Sequence, residues 1–167
     1  VDLRKQKPEL KVLLSIGGWG SGRFSEMAAN DEYRRAFAAD CDRVVKEFAL
    51  DGIDIDWEYP TSSMANISSS PDDTENFTLL MQDIRAAIGN EKELTLATVA
   101  SARYIDFKAI LPSVDFVNIM AYDMASAPKH HSALYPSGHS GDITSDGAVT
   151  AHLKAGVPPS KLRVAGL

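Results

Sequence analysis

The segment DGIDIDWEYP, residues 51–60, contains the acidic side chains best suited to chemistry. Successive side chains of an extended strand point to opposite faces, so Asp54, Asp56 and Glu58 should share one face. Grouped carboxylates are costly to bury because each loses hydration and repels the next, and the segment contains no basic residue. Acid–base catalysis by these carboxyl groups is therefore one interpretation of the segment.

Two other interpretations stay open on this pattern alone. An edge strand could expose an acidic face to solvent, but residues 48–55 are apolar and glycine-marked, as in a central strand. A carboxylate cluster could bind calcium or magnesium, but such sites use oxygens that converge from a looping backbone. Adjacent His130 and His131, with His139 and Asp142, lack any zinc-type spacing, so we expect no metal site.

Composition indicates one globular unit whose substrate is not nucleic acid. The chain has 167 residues, 44% hydrophobic and 24% charged, with a net charge of -6 and scattered Lys and Arg residues. A neutral polymer fits this charge better. No apolar run reaches about 18 residues, so no membrane partner is expected, and the start at Val1 places any signal peptide outside this chain.

The remaining single-residue signals are weak. Cys41 follows the apolar spacing of a helix and should pack as a small hydrophobe, without an internal disulfide. Asn66 and Asn76 each begin a glycosylation sequon, but such triplets are common by chance and do not show secretion.

Five short apolar runs predict strands, separated mostly by helical patterns. The strands are expected at 11–16, 52–58, 94–100, 115–122 and 162–167. One helix should run from about Asp31 to Leu50, another should follow an N-cap at Ser70 with Pro71 and Asp73 after it, and a later one should end at Gly156. This alternation, without a G-x-G-x-x-G motif or a P-loop, predicts an α/β fold with a parallel sheet and favours a (β/α) barrel.

In such barrels the chemistry lies at the carboxyl ends of the strands. The residues that fall there are Gly17, Gly18, Trp19, Glu58, Tyr122 and Asp123. The loop after Ala100 should join them, and the long loop at 124–145 should lie over the barrel mouth. We therefore expect four strand ends to form one site.

Three motifs in order carry a family resemblance: SIGGW at 15–19, DGIDIDWEYP at 51–60 and NIMAYD at 118–123. Together they resemble the glycoside hydrolase family 18 chitinases. The resemblance implies a TIM (β/α)8 barrel, present here only in part, as about strands 3 to 6 and the start of strand 7. A full barrel needs about 250 residues, so residues 1–167 should form part of one catalytic domain, with the rest of the barrel as a partner.

The resemblance also implies the site. Glu58 would be the proton donor, Asp56 would hold the substrate's acetamido N–H, Asp54 would share a proton with Asp56, and Tyr122 would bind the acetamido oxygen. Further contacts to the sugar are expected from Trp19, Gly18, Tyr59, Met120, Asp123 and Tyr135. Trp19 and Met120 could instead be core residues, and strand parity assigns Trp57 to the barrel–helix interface.

Repulsion between Asp56 and Glu58 should keep one proton on the pair near neutral pH. The function implied by the resemblance is a secreted chitinase that hydrolyses β-1,4-linked N-acetylglucosamine polymers with retention, through substrate assistance and without a cofactor. Three alternatives remain: a chitin-binding lectin, an inactive partial barrel, and an endo-β-N-acetylglucosaminidase acting on N-glycans.

Overall fold

The computed structural model describes residues 2–165, with the Asp2 side chain excepted, as a parallel sheet covered by helices. The strands are β1 (Leu13–Gly17), β2 (Gly52–Asp56), β3 (Glu93–Val99), β4 (Phe116–Met120) and β5 (Leu162–Ala165). The helices are α1 (Asp2–Gln6), α2 (Phe24–Ala29), α3 (Asp31–Glu47), α4 (Asp73–Ile88), α5 (Phe107–Ile110) and α6 (Ser145–Lys154), with 3-10 turns at Met64–Asn66 and Pro159–Lys161.

The five described strands pair in chain order, β1-β2-β3-β4-β5, and every pairing is parallel. Each predicted strand is therefore confirmed, although β2 ends at Asp56 rather than at residue 58. The last predicted strand is confirmed as far as Ala165, and residues 166–167 lie outside the described part of the chain.

One face of the sheet forms the core with the helices. Ile53 and Ile55 of β2 are fully buried, and so are Leu94 and Leu96 of β3. Helix α4 covers them with an apolar stripe: Phe77, Leu80, Met81, Ile84 and Ile88. Burying a side chain of this size contributes about 1.5–3 kcal/mol, so this face fixes the strand register.

The hydrogen bonds at the start of α4 resemble the predicted capping box, but the N-cap of the helix is Asp72 and not Ser70 as predicted. The Asp73 carboxylate accepts the backbone N–H of Ser70 at 2.8 Å, and the Ser70 hydroxyl accepts that of Asp72 at 3.3 Å. Residues 71–72 form a turn, so the helix begins at Asp73. Asp73 is fully buried and also accepts from the Thr61 N–H and the Ser25 hydroxyl, which ties the loop after β2 to two helices.

Two other helix predictions can be compared with the structure. Helix α3 begins at Asp31 as predicted but ends at Glu47 instead of at about Leu50. Phe48 follows as the C-cap, outside the helix, and is 63% exposed. Cys41 is buried in α3 as predicted, and burial raises the pKa of its thiol to about 12. Helix α6 ends at Lys154, and Gly156 follows with a φ of +99° that terminates it.

Candidate active site

A cavity of about 640 Å³ opens where the carboxyl ends of the strands meet. It is lined by six residues that the sequence placed in the site: Trp19, Glu58, Tyr59, Met120, Tyr122 and Asp123. They come from the segments that follow β1, β2 and β4 and from the end of β4 itself. The expected meeting of strand ends is therefore present in the structure.

The alternation along β2 continues past its last residue. Trp57 is 2% exposed, stacks on Phe24 with ring centroids 5.4 Å apart, and meets the edge of Phe77 at 5.5 Å. Its assignment to the barrel–helix interface is confirmed. Asp56 and Glu58, on either side of it, are only partly buried, because they point to the opposite face.

Asp54 is held by donors from three other strands, β1, β3 and β4. Its Oδ2 accepts the Ser15 hydroxyl at 2.7 Å, and its Oδ1 accepts the Thr95 hydroxyl at 2.5 Å and the Asn118 amide at 3.1 Å. Both carboxylate oxygens of Asp54 therefore accept hydrogen bonds from other strands, and the sharing of a proton with Asp56 stays a prediction.

Asp56 has the opposite environment. Its Oδ1 is buried without a hydrogen-bond partner. Burial raises the pKa of its carboxyl from 3.8 to about 6, and the neighbouring charges of Glu58 and Asp54 add to the rise. In the acidic row, formed by Asp54, Asp56 and Glu58, the proton affinity is therefore raised at Asp56.

The backbone of Asp56 is fixed by the glycines of the SIGGW motif. The Gly18 N–H donates to the Asp56 carbonyl at 2.8 Å. Gly17 has a φ of +128°, and a Cβ there would lie 2.0 Å from the same carbonyl oxygen. Only glycine permits this approach. Gly18 was expected to contact the sugar, and the structure gives it this hydrogen bond to the acidic strand.

The phenol pKa values of two tyrosines are raised in part by the neighbouring carboxylates. Burial raises the pKa of the Tyr122 phenol, and the charges of Asp56 and Glu58 are the next causes. Burial also raises the pKa of Tyr59, helped by its hydrogen bond to Glu58 and by the charge of that carboxylate. Both phenols are therefore hydrogen-bond donors throughout the neutral pH range.

Other predicted or considered residues lie elsewhere. Tyr135 is 62% exposed within residues 134–139, all of which are exposed, and it does not line the cavity. The rings of His130 and His139 lie 6.0 Å apart in the same loop. Within residues 2–165, no cluster of three or more His, Cys, Asp or Glu side chains could hold a metal ion. None of the helices described for this chain is long and apolar enough to cross a bilayer.

Sequence reasoning missed two groups of residues. The first is the set of donors to Asp54, which depends on the register that pairs Ser15, Asp54 and Thr95 across β1, β2 and β3, so the pattern within one strand carries no signal for it. The second comprises four apolar residues that complete the cavity lining: Val99, Ala100, Met124 and Ile143. Met124 and Ile143 lie near the two ends of the loop expected over the mouth, where no residue pattern singles them out.

A family model described as glycosyl hydrolases family 18 matches residues 1–165. The chain belongs to this family. Membership implies a (β/α)8 barrel, of which the five-stranded parallel sheet is one part. The fold class expected from the sequence is therefore confirmed.

Similar proteins in the family are chitinases and a related enzyme. Chitinase A1 of Niallia circulans is 35% identical over 96% of this chain and 26% of its own length. The chitinase domain of the spore coat protein CotE from Clostridium difficile superposes with a TM-score of 0.93 at 39% identity, over 99% of this chain and 51% of that one. A family 18 N-acetylglucosaminidase from Paenibacillus barengoltzii gives a TM-score of 0.90 at 39% identity, over 98% and 52%. This chain thus spans about half or less of the proteins it resembles.

Proposed function

We propose that this chain carries the catalytic acid of a chitinase, which hydrolyses β-1,4-linked N-acetylglucosamine polymers with retention at the anomeric carbon. The observation that carries the proposal is the pairing of Glu58, at the cavity wall, with Asp56, whose buried Oδ1 lacks a hydrogen-bond partner. A substrate amide N–H is the kind of donor that would satisfy that oxygen. The similar chitinases support the substrate class.

In the proposed reaction Glu58 donates a proton to the glycosidic oxygen as the bond to the anomeric carbon breaks. Asp56 precedes Glu58 by two positions on the same face, so it is poorly placed for attack from the far side of the sugar. The substrate's own acetamido oxygen attacks instead, as in other substrate-assisted glycosidases of this family. Water then opens the oxazolinium ring and returns a proton to Glu58.

Asp56 would accept the acetamido N–H and stabilise the positive charge that develops on the ring. Asp54, held by its three donors, would raise the proton affinity of Asp56 through its charge. Tyr122 would donate to the acetamido oxygen and orient it toward the anomeric carbon, which is a gain in proximity. Asp123 would bind the sugar, and Met120 would form the pocket wall.

Trp19 is the strongest candidate for stacking on a sugar ring. Its side chain is 59% exposed although it lines the cavity, which argues against the alternative of core packing. Tyr59 lies beside it with the ring centroids 6.4 Å apart. Met120 is only 8% exposed and serves the core as well as the cavity. A chitin polymer outside the cell would require the protein to be secreted.

The proposal is tested with two fluorogenic disaccharides that share one leaving group, an N,N′-diacetylchitobioside and a cellobioside. Because the acetamido group is the expected nucleophile, only the chitobioside should be turned over, and Glu58→Gln should abolish that turnover. A parallel titration with a chitin oligomer measures binding. Binding without turnover would favour the lectin alternative, and loss of both would favour an inactive partial barrel.

Chain-end specificity is addressed with the same assay. The similar N-acetylglucosaminidase makes release of a single sugar a second candidate activity. A fluorogenic N-acetylglucosaminide tests it directly. Turnover of this monosaccharide at a rate equal to or above that of the chitobioside would favour the second activity over endo-type cleavage.

A further inference from the structure

Two apolar side chains of the long loop between β4 and α6 line the cavity, although they come from opposite ends of that loop. Met124 follows Asp123 directly, and Ile143 comes just before Thr144, the N-cap of α6. Ile143 is 36% exposed. We call this pair, Met124 and Ile143, the loop wall. Neither residue belongs to the three sequence motifs, and neither has a role in the proposed reaction.

The two halves of the loop wall are held together by contacts within the loop. The Met124 N–H donates to the His131 carbonyl at 2.8 Å, and the Met124 side chain packs against a buried cluster that includes Ala100. Gly141 lies so close that a Cβ there would be 2.7 Å from the Met124 carbonyl oxygen. The segment that carries Ile143 therefore packs directly against the backbone of Met124.

The same segment is anchored at the start of α6. The Thr144 hydroxyl accepts the Gly147 N–H at 3.2 Å, and Thr144 is 3% exposed. The Ser145 N–H donates to the Ala133 carbonyl at 2.9 Å. Because Ile143 directly precedes these bonded residues, its backbone is ordered without a ligand. A wall that is formed in advance loses less conformational freedom when a substrate binds.

The loop wall and the acidic row lie on different parts of the cavity. The acidic row belongs to β2 and its continuation, whereas Met124 follows β4, and β3 separates these two strands in the sheet. Successive sugars of a β-1,4-linked chain are turned over relative to each other, so their acetamido groups point to alternate sides. With the acetamido group of the reacting sugar at Asp56, that of the neighbouring sugar points away from the acidic row. The cavity of about 640 Å³ is in the size range of pockets that enclose ligands as large as a disaccharide.

We propose that the loop wall is a specificity site for the N-acetyl group of the sugar next to the reacting one. This deepens the proposed function and rests on an N-acetylglucosamine polymer as the substrate. Burying one acetamido methyl group against Met124 and Ile143 raises affinity by about 4-fold. A deacetylated sugar carries an ammonium group instead, which would lose hydration against two side chains that offer it no oxygen acceptor. The loop wall therefore selects acetylated stretches of the polymer.

The test uses tetrasaccharides that are either fully acetylated or carry one glucosamine at a known position. Mass spectrometry of the products assigns each glucosamine to a place relative to the cleaved bond. A glucosamine at one of the two places next to the reacting sugar should lower kcat/KM of the wild type by roughly 10- to 100-fold. Equal kcat/KM values for glucosamine and N-acetylglucosamine at both of these places would overturn the proposal.

Variants of the loop assign this preference to the loop wall. Ile143→Asp places a carboxylate just before α6, where an acidic side chain is tolerated, and its pairing with the ammonium group should lower the preference by about 10-fold or more. The matched control Leu134→Asp adds the same charge to the same loop, at a side chain that is 51% exposed and does not line the cavity, and it should keep the wild-type preference. An unaltered preference in Ile143→Asp, or an equal change in Leu134→Asp, would overturn the proposal.

A second variant covers the case in which Ile143→Asp does not fold. Ile143→Ala removes apolar contact without adding a charge, so the preference for an acetylated neighbour should fall by about 4-fold. Thermal unfolding checks that the variant is folded. A folded Ile143→Ala with the full wild-type preference counts against the loop wall as the specificity site.

The two proposals fail in different ways. A wild-type chain that does not hydrolyse the fully acetylated tetrasaccharide refutes the proposed function for this chain. Calorimetric titration with the same tetrasaccharides then compares their affinities, and equal affinities, or no binding of any of them, would refute the specificity site as well. A chain that hydrolyses the fully acetylated tetrasaccharide without any preference for an acetylated neighbour refutes only the specificity site.

Discussion

Asp56→Asn should make the protein more stable at neutral pH while lowering its activity. In the folded protein burial, followed by the charges of Glu58 and Asp54, raises the pKa of Asp56 from 3.8 to about 6. At about 1.4 kcal/mol per pKa unit, a rise of about two units corresponds to at most about 3 kcal/mol against the charged form. Asp56 is only partly buried, so screening by solvent reduces this to about 1–2 kcal/mol.

The sign of the pH dependence follows from proton binding. Between pH 4 and 6, approximately, the folded protein retains the Asp56 proton while the unfolded chain has lost it, so the free energy of unfolding contributed by this group falls as pH rises. Urea denaturation of the wild type and Asp56→Asn should therefore give similar stabilities near pH 4 and a more stable variant at pH 7.5. The exposed Asp142→Asn serves as a matched control and should show no such divergence.

A second readout comes from Tyr122, because the charge of Asp56 is the largest electrostatic cause of its raised pKa. In Asp56→Asn the Tyr122 phenol should ionise at a lower pH, as followed by its absorbance near 295 nm against a Tyr122→Phe blank. Equal stability of wild type and variant at pH 7.5, with an unmoved Tyr122 titration, would refute the account of the acidic row.

Three further changes probe the supports of the site, each with unfolding by urea as the measurement. Gly17→Ala should lose roughly 2–4 kcal/mol, since its Cβ would meet the Asp56 carbonyl; a loss under about 1 kcal/mol would contradict the close approach. Thr95→Val removes a hydroxyl donor to Asp54 and should cost about 1–2 kcal/mol, whereas Thr95→Ser should retain the wild-type stability and turnover. Asp73→Ala leaves two backbone N–H groups without their acceptor and should cost about 2–3 kcal/mol, while Asp73→Asn can keep both, so equal losses would argue against these bonds.

The fold and the core of the site could be predicted from the sequence because both depend on short-range patterns. Apolar runs of strand length separated by helical periods predict parallel βαβ units, and the strand ends of such units converge. Alternation along β2 separated Trp57 from its acidic neighbours correctly, since the period of a strand is independent of the rest of the fold.

The remaining features depend on contacts between distant segments. That Asp54 accepts from Thr95 and Asn118 follows from the register of β2, β3 and β4, which the residue pattern of one strand does not contain. The loops give even less: Tyr135, predicted to line the cleft, is exposed and does not line the cavity. The helix that was predicted to run to about Leu50 ends at Glu47, so Phe48 lies outside it.

The most direct test of Glu58 as proton donor is the dependence of turnover on the leaving group. Wild type and Glu58→Gln would be compared on two N,N′-diacetylchitobiosides, one with a poor leaving group that needs a proton and one with a dinitrophenolate that leaves without it. The account predicts that Glu58→Gln loses roughly 100-fold or more on the first substrate and much less on the second. Equal losses on both substrates, or no loss on the first, would contradict it.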